Sequence, residues 1–545
     1  MSSQGFDPAE KHQSQIPAIQ LLVALGYQPL SQAQAEKLRG GRLRNVVLDD
    51  VLVDQLLKLN RFNHRGRAYP FDLEDAHEAV RRLKPTPDKL KGLRGTNQDI
   101  YDLLVLGTTI TKSIDGDSKS YSFRYVDWEN QENNVYHVTA EMVVERTAST
   151  QTRRLDIVCF VNGIPFVVIE NKRPTVGLKK ALIQYQGEDN IPHLFHYAQV
   201  LLTMNRKEAR YATVGTPSKF WQVWREEGGS DAQLTLLTAR GLTENERDTF
   251  ADALEDTEHD AADLPLSGLV NQPMGLAEEQ AVFDGEFAGA KAYFDALTAE
   301  GNRAITDQDR TIYALCRPER LLDLVRRFTV FDGGERKIAR HQQYLGVCKA
   351  IERVKQLGAG GVRQGGVIWH TQGSGKSLTM VMLGRALAMD RDIKNPRIII
   401  VTDRDDLDKQ IKGTFKACEM EPVRATSGSN LLDLIRDKTP LVTTIINKFD
   451  TALRAGKFSD EDPNLFVLID ESHRSQTGRY GGYGNFHNKM RRLLPRACYL
   501  GFTGTPLLKK ERNTLSTFGK LIDTYTIDDA VADEAVVPLL YEGRL

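Results

Sequence analysis

From about position 365 the chain alternates between two hydrophobic patterns. Short apolar runs (GVIWH, RIIIVTD, LVTTII, LFVLIDE and CYLGFTG) alternate with longer segments such as SLTMVMLGRALAM, whose apolar residues recur at helical spacing. A run with no polar alternation is a strand buried on both faces. Successive strands separated by helices need crossovers, so the pattern predicts a parallel sheet with helices on both sides. Upstream, helical and strand patterns mix. IPAIQLLVALGY places Ile16, Ile19, Leu22 and Leu25 near one helical face. VYHVTAEMVVE reads as a strand, and LDIVCFVNGIPFVVIENKRP as a hairpin turning at Asn162-Gly163.

These patterns predict an α/β chain in pieces: a first domain over 1–260, a segment 261–317, a second domain over 318–536, and the start of a further lobe at 537–545. Around 255–310 the chain is acidic and Ala-rich, as in ADALEDTEHDAAD, which fits a linker or helical insert and equally an exposed helical face of a neighbouring domain. There is no internal repeat. A length of 545 residues allows about three or four domains of roughly 150 residues, or fewer larger ones.

Composition narrows the classes. With 41% hydrophobic and 27% charged residues the chain is ordinary for a globular protein. A net charge of −1 creates no global field toward nucleic acid or membrane, so a charged partner must be met by local patches. The five cysteines (Cys159, Cys316, Cys348, Cys418 and Cys498) form no C-x-x-C pair, which argues against a structural zinc site and a disulfide framework. No apolar run approaches the ~20 residues of a membrane span. The expectation is a soluble, cytoplasmic chain with no membrane partner.

Chemistry enters at GVIWHTQGSGKS, a strand, a glycine-bearing loop and a helix start. Gly373 and Gly375 let the backbone curl so that successive N–H groups of Thr371, Gln372, Gly373, Ser374 and Gly375 surround a phosphate. The helix beginning near Lys376 adds its positive end. Lys376 is expected on the β- and γ-phosphates of ATP and Ser377 on Mg²⁺. His370 stands where the general motif has its first glycine. LFVLIDESH ends an apolar strand in two carboxylates: Asp470 to hold Mg²⁺ through water, Glu471 to polarise the attacking water.

Asp470-Glu471-Ser472-His473 resembles the DEAH-type box of superfamily-two helicases and translocases. GFTGTP resembles their third motif, VTDRDDLDKQ and TTIINKF their DNA-contact motifs, and RHQQY an adenine-reading Q motif, which implies Gln343 as base contact with Arg340 nearby.

The hairpin carries a second chemistry. Side chains alternate along a strand, so Glu170 and Lys172 share a face, and Asp156 on the neighbouring strand can meet them. Two converging carboxylates suit a hard divalent cation, Mg²⁺, with Asp156 and Glu170 as its ligands. Lys172 can orient a water or stabilise charge building on a phosphodiester. Without the motor downstream, a hairpin salt bridge explains the pattern as well. Arg153, Arg154, Lys172, Arg173, Lys179 and Lys180 make the flank basic.

Asp-x13-Glu-x-Lys resembles the core of a PD-(D/E)XK nuclease. A nuclease hairpin followed by HTQGSGKS and DESHRSQ resembles the restriction (R) subunit of type I restriction–modification enzymes, as do NVVLDDVL, YVDWENQENN, IPHLFHYAQVLLTMN and RPERLLDLVRRFTVFD. The resemblance implies a PD-(D/E)XK-type nuclease domain followed by a RecA-like motor lobe. It implies a subunit that pulls double-stranded DNA with ATP and cuts it with Mg²⁺, alongside methyltransferase (M) and specificity (S) subunits that recognise the site. It also implies a catalytic Gln184, although Glu188 stands where the accompanying Tyr is usual, and a carboxylate on the first helix, for which Glu10 is nearest. A DNA-repair helicase–nuclease, or a DNA- or partner-binding remnant without turnover, are the rival readings. A second motor lobe with its arginine finger is expected from elsewhere, so the 545-residue chain alone is expected to hydrolyse ATP negligibly and not to translocate.

Overall fold

The computed structural model describes residues 14–172, 183, 185–187, 190–226, 230–255, 304–332, 334–402, 421–445, 448, 451–452, 458–470, 490–504 and 518–536. Glu10, Arg173, Lys179, Lys180, Gln184, Glu188 and Glu471 lie outside these residues, as do 256–303, most of VTDRDDLDKQ, part of TTIINKF, and 537–545. The chain folds as two compact units, Met1–Arg326 and Arg327–Leu545.

The first unit is built on a six-stranded sheet of β1 (Gln28–Leu30), β2 (Tyr136–Glu145), β3 (Thr152–Val161), β4 (Ile164–Asn171), β5 (Val200–Asn205) and β6 (Glu208–Ala212), which lie side by side in sequence order. The central β2, β3 and β4 run antiparallel, while β4 and β5 run parallel. Every residue of β4 is buried, so its apolar sequence reflects cover on both faces. The β3–β4 connection is the two-residue turn expected at Asn162-Gly163, with φ of 52° and 82°. Asn162 also ties the turn down: its amide donates to the Tyr125 carbonyl (3.0 Å) and Asn134 Oδ1 (2.8 Å) and its Oδ1 accepts from the Val135 N–H (2.9 Å).

Helix α1 (Ile16–Ala24) forms where the spacing places a helix, but it is not one-faced. Ile16 through Val23 are all buried, because α1 packs against β2, α2 (Ser230–Ala239) and α3 (Asp307–Cys316). The unit boundary also falls later than 317/318. Helix α3, expected within the linker or insert, is held in the first unit by the Tyr27 hydroxyl on the Cys316 carbonyl (2.6 Å) and by Arg310 on Asp231 (3.0 Å). Helix α4 (Pro318–Arg327) follows it after a single residue.

The second unit has an all-parallel seven-stranded sheet. In chain order its strands are β7 (Gly366–His370), β8 (Arg397–Thr402), β9 (Val423–Arg424), β10 (Leu441–Ile445), β11 (Leu465–Ile469), β12 (Cys498–Thr503) and β13 (Leu521–Tyr525). Across the sheet the order is β9-β10-β8-β11-β12-β7-β13. The five apolar runs of the sequence are five of these strands. The two edge strands carry no such run: both residues of β9 are exposed, and β13 is half exposed. Helix α5 (His341–Lys355) packs on α6 (Lys376–Ala388), β7 and β13. No described helix is long and apolar enough to cross a membrane.

Candidate nuclease and nucleotide sites

A two-residue turn fixes the register of β3 against β4. Val161 pairs with Ile164 and Phe160 with Pro165, a register that would put Asp156 opposite Ile169. A bulge intervenes between Cys159 and Phe160: Cys159 pairs with Val167, and the pairs continue to Ile157 with Ile169. The extra residue shifts the remaining strand by one position, so Asp156 faces Glu170 instead. The convergence expected from Asp-x13-Glu therefore depends on this bulge.

Asp156, Glu170 and Lys172 come together at this end of the sheet. Lys172 Nζ lies 2.6 Å from Glu170 Oε1, and the Asn171 N–H donates to Asp156 Oδ2 at 2.5 Å. The Lys172 N–H continues the sheet by donating to the Met204 carbonyl of β5 (2.8 Å). A third carboxylate, absent from the sequence expectations, stands on the other side of Asp156. The β2–β3 register places Glu141 opposite Asp156, with Glu141 at a left-handed φ of 53°. Glu141 is buried, ion-paired to Arg154 Nε (2.7 Å), and accepts from Gln15 Nε2 (2.8 Å). Its signal in the sequence is a lone acid inside the apolar strand TAEMVVE. Arg154, expected to face phosphate, is thus turned to Glu141.

Burial, then the Glu170 and Glu141 carboxylates, push the Asp156 carboxyl well above the usual range; Lys172 and the Asn171 N–H pull it only partly back. Glu170 is paired to Lys172 and Glu141 to Arg154, and a cation beside Asp156 would relieve the repulsion among the three acids. Among the described residues no group of three or more His, Cys, Asp or Glu is arranged to hold a metal ion; the candidate ligands at the hairpin are the two carboxylates of Asp156 and Glu170. An oxygen-only donor set of this size suits Mg²⁺, which keeps several waters.

In the second unit the phosphate loop follows β7. Gly373 and Gly375 have φ of 86° and 88°, a conformation that costs any residue with a Cβ. A Cβ on Gly375 would also sit 2.6 Å from Gln343 Nε2. Lys376 is buried with its Nζ over the loop, 3.4 Å from the Thr371 carbonyl. Gly504, at the end of β12, approaches so closely that a Cβ there would lie 2.7 Å from that Nζ. Asp470 is buried immediately after β11 and donates its N–H to the Val401 carbonyl (2.9 Å). Because β12 lies between β7 and β11, the loop, the GFTG segment and Asp470 share the carboxyl edge of the sheet, where ligands bind in open α/β folds. Thr371 and Ser374 are buried, Ser377 is half-buried, and Gln372 and Gly373 are exposed.

His370, in the place of a glycine, has a structural partner. Its Nε2 lies 2.7 Å from Asp523 Oδ2, and Lys349 Nζ lies 2.6 Å from Asp523 Oδ1. Burial alone would raise the Asp523 carboxyl; the His370 and Lys349 contacts more than reverse this and hold it below its usual value. The Thr371 N–H donates to the Tyr525 carbonyl (2.9 Å), so the start of the loop is fastened to β13. Gln343 is engaged at both ends: its carbonyl accepts from the Arg340 N–H (2.9 Å) and its amide donates to the Gly375 carbonyl (3.1 Å). Its neighbour Gln342, equally buried, has neither amide atom in a hydrogen bond.

Comparison with known proteins matches one segment in each unit. Residues 7–220 match the family model described as type I restriction enzyme R protein N terminus, and residues 342–545 match the one described as SWI2/SNF2 ATPase. The type I restriction enzyme HindI endonuclease subunit of Haemophilus influenzae is 28% identical over 526 residues, covering 88% of this chain and 43% of that protein. The SauMSSORF170P endonuclease subunit of Staphylococcus aureus MSSA476 is 25% identical over 477 residues, covering 83% of this chain and 42% of its own length. The chain thus spans less than half the length of these relatives. An R-protein N terminus and an ATPase segment are thus matched in that order, and the chain is similar over most of its length to endonuclease subunits of type I restriction enzymes.

Proposed function

We propose that this chain works as the restriction subunit of a type I restriction–modification complex. It couples ATP-driven movement of double-stranded DNA to Mg²⁺-dependent endonucleolytic cleavage of unmodified DNA away from the recognition site. Its partners are then methyltransferase and specificity subunits, which set the recognition sequence, and its place of work is the cytoplasm. The observation that carries this reading is the bulged hairpin, which gathers Asp156, Glu170 and Lys172 in a chain whose second unit holds a phosphate loop. Kinship with restriction subunits favours this over a repair helicase–nuclease.

At the cutting centre Asp156 and Glu170 would hold Mg²⁺. When bound, the ion polarises the scissile phosphodiester and acidifies a water. Asn171 keeps the Asp156 carboxylate in place through its N–H, and Lys172 supplies positive charge where negative charge builds on the phosphate. Arg154 pairs with Glu141 and so offsets part of that acid's repulsion of Asp156. At the nucleotide centre the backbone of 371–375 and Lys376 receive the phosphates of ATP, and Ser377 and Asp470 are the Mg²⁺ ligands. Glu471 orients the attacking water, and Gln343 with Arg340 borders the base. Gln184 belongs to the cutting centre.

Lys172→Ala tests the reading. In a complex reconstituted with its partner subunits, the variant should lose DNA cleavage by about 10³-fold or more while hydrolysing ATP normally. Cutting at the wild-type rate would remove Lys172, and with it the nuclease assignment, from consideration.

A further inference from the structure

Asn171 stands between two residues of the cutting centre, and strand alternation turns its side chain to the opposite face. There it enters a buried relay of polar groups. Asn171 Nδ2 donates to Ser14 Oγ (2.7 Å), Ser14 Oγ donates to Gln308 Oε1 (2.6 Å), and Gln308 Nε2 returns to the Ser14 carbonyl (2.8 Å). All three side chains are at most 2% exposed. The next residue, Gln15, donates to Glu141 Oε1 and to the Asp156 carbonyl (2.9 Å). The Ser14-Gln15 pair therefore grips β2, β3 and β4 at the level of the acids.

Gln308 is held as firmly as the strands. It sits in the first turn of α3, whose start is set by a capping box: the Thr306 N–H donates to Asp309 Oδ2 (2.9 Å), and the Asp309 N–H to Thr306 Oγ1. The hydrogen bond of Tyr27 and the ion pair of Arg310 fix the rest of that helix. Packing alone would be served by apolar side chains, without the desolvation a buried amide and hydroxyl incur. A relay in which each donor meets one acceptor instead fixes orientation.

We propose that Ser14 and Gln308 are positioning residues of the nuclease centre. Through Asn171 they set the backbone that carries Glu170, Lys172 and the N–H on Asp156. The cutting centre is thereby braced by the segment that leads, through α4, into the second unit. The proposal rests on the nuclease reading and deepens it.

The test is calorimetric titration of Mn²⁺ into the purified 545-residue chain. Asp156→Ala serves as reference, beside Gln308→Ala, Ser14→Ala and Ser14→Thr. Supports of metal ligands commonly contribute about 10–100-fold in affinity, so Gln308→Ala and Ser14→Ala should weaken Mn²⁺ binding about tenfold. Ser14→Thr, which keeps the hydroxyl, should restore it, with unfolding midpoints within about 2 °C of wild type. If Asp156→Ala abolishes binding while Ser14→Ala and Gln308→Ala bind as wild type, the positioning role is wrong and the metal reading stands. If Asp156→Ala binds as wild type, or the wild type binds no Mn²⁺, both fall. If Ser14→Thr fails to restore affinity, the relay serves packing and the proposal is overturned. Should Gln308→Ala not fold, Ser14→Ala and Ser14→Thr decide.

Discussion

The glycine-bearing loop after β7 and the acidic hairpin of β3 and β4 are built in opposite ways. The loop offers backbone N–H groups and one lysine, all within residues 371–376. The hairpin gathers like charges that repel one another, and a bulge, an arginine and polar side chains from residues 14, 15 and 308 hold them. The first site is a local conformation, set by two glycines at positive φ. The second is a convergence that exists only once the unit has folded. The loop should therefore fail through single backbone changes, and the hairpin through loss of distant supports.

The sharpest break is Lys376→Ala. Nucleotide affinity should drop by about 10³-fold, because a charge-assisted contact from the buried Lys376 is lost; Mn²⁺ binding at the hairpin should not change. A parallel loss of both would mean that the two sites are not separate.

Asn162→Ala comes next. It replaces a side chain with three buried hydrogen bonds at a left-handed φ of 52° and should destabilise the first unit by about 3 kcal/mol in chemical denaturation. The second unit's transition should stay where it is.

Gly375→Ala tests the backbone side of the comparison. Strain at φ 88° and the contact with Gln343 should weaken ATP analogue binding about 30-fold, read by fluorescence titration. Wild-type affinity would show that the loop does not need this conformation.

The smallest effect concerns Asp523→Asn, which loosens the fastening of His370 and should cost the second unit about 1–2 kcal/mol. Because the folded Asp523 carboxyl titrates below its usual value, its contribution is present above the ordinary carboxylate range and lost as pH falls through it. The variant's stability should therefore fall less steeply on acidification than wild type.

The same contrast explains what could be read from the sequence. GSGKS, the apolar strands around it and the Asn162-Gly163 turn are local patterns, and each appears where its spacing places it. Asp156, Glu170 and Lys172 could be named because alternation and a tight turn bring them near one another. The bulge that aligns them has no marker in CFVNGIPF, since its residues are as apolar as a regular strand's. Glu141 and Gln308 were hidden for another reason: their partners lie far along the chain, Gln308 being 294 positions from Ser14. The edge strands β9 and β13 are not legible because exposed or half-exposed strands lack the apolar run that betrays a central one. The spacing in IPAIQLLVALGY shows one apolar face of α1, because a sequence window does not reveal that helices from residues 230–239 and 307–316 pack on it.

The central claim is that one chain carries a nucleotide site and a cutting site that are separate in ligand binding and coupled in use. Cleavage of covalently closed circular DNA by the reconstituted complex, with ATP and Mg²⁺ present, tests it most directly when Lys172→Ala and Lys376→Ala are assayed side by side. The account predicts that Lys172→Ala hydrolyses ATP and leaves the circles intact. Lys376→Ala should neither hydrolyse nor cut, although its hairpin is untouched. Efficient cutting by Lys376→Ala, or by wild type without ATP, would contradict the coupling.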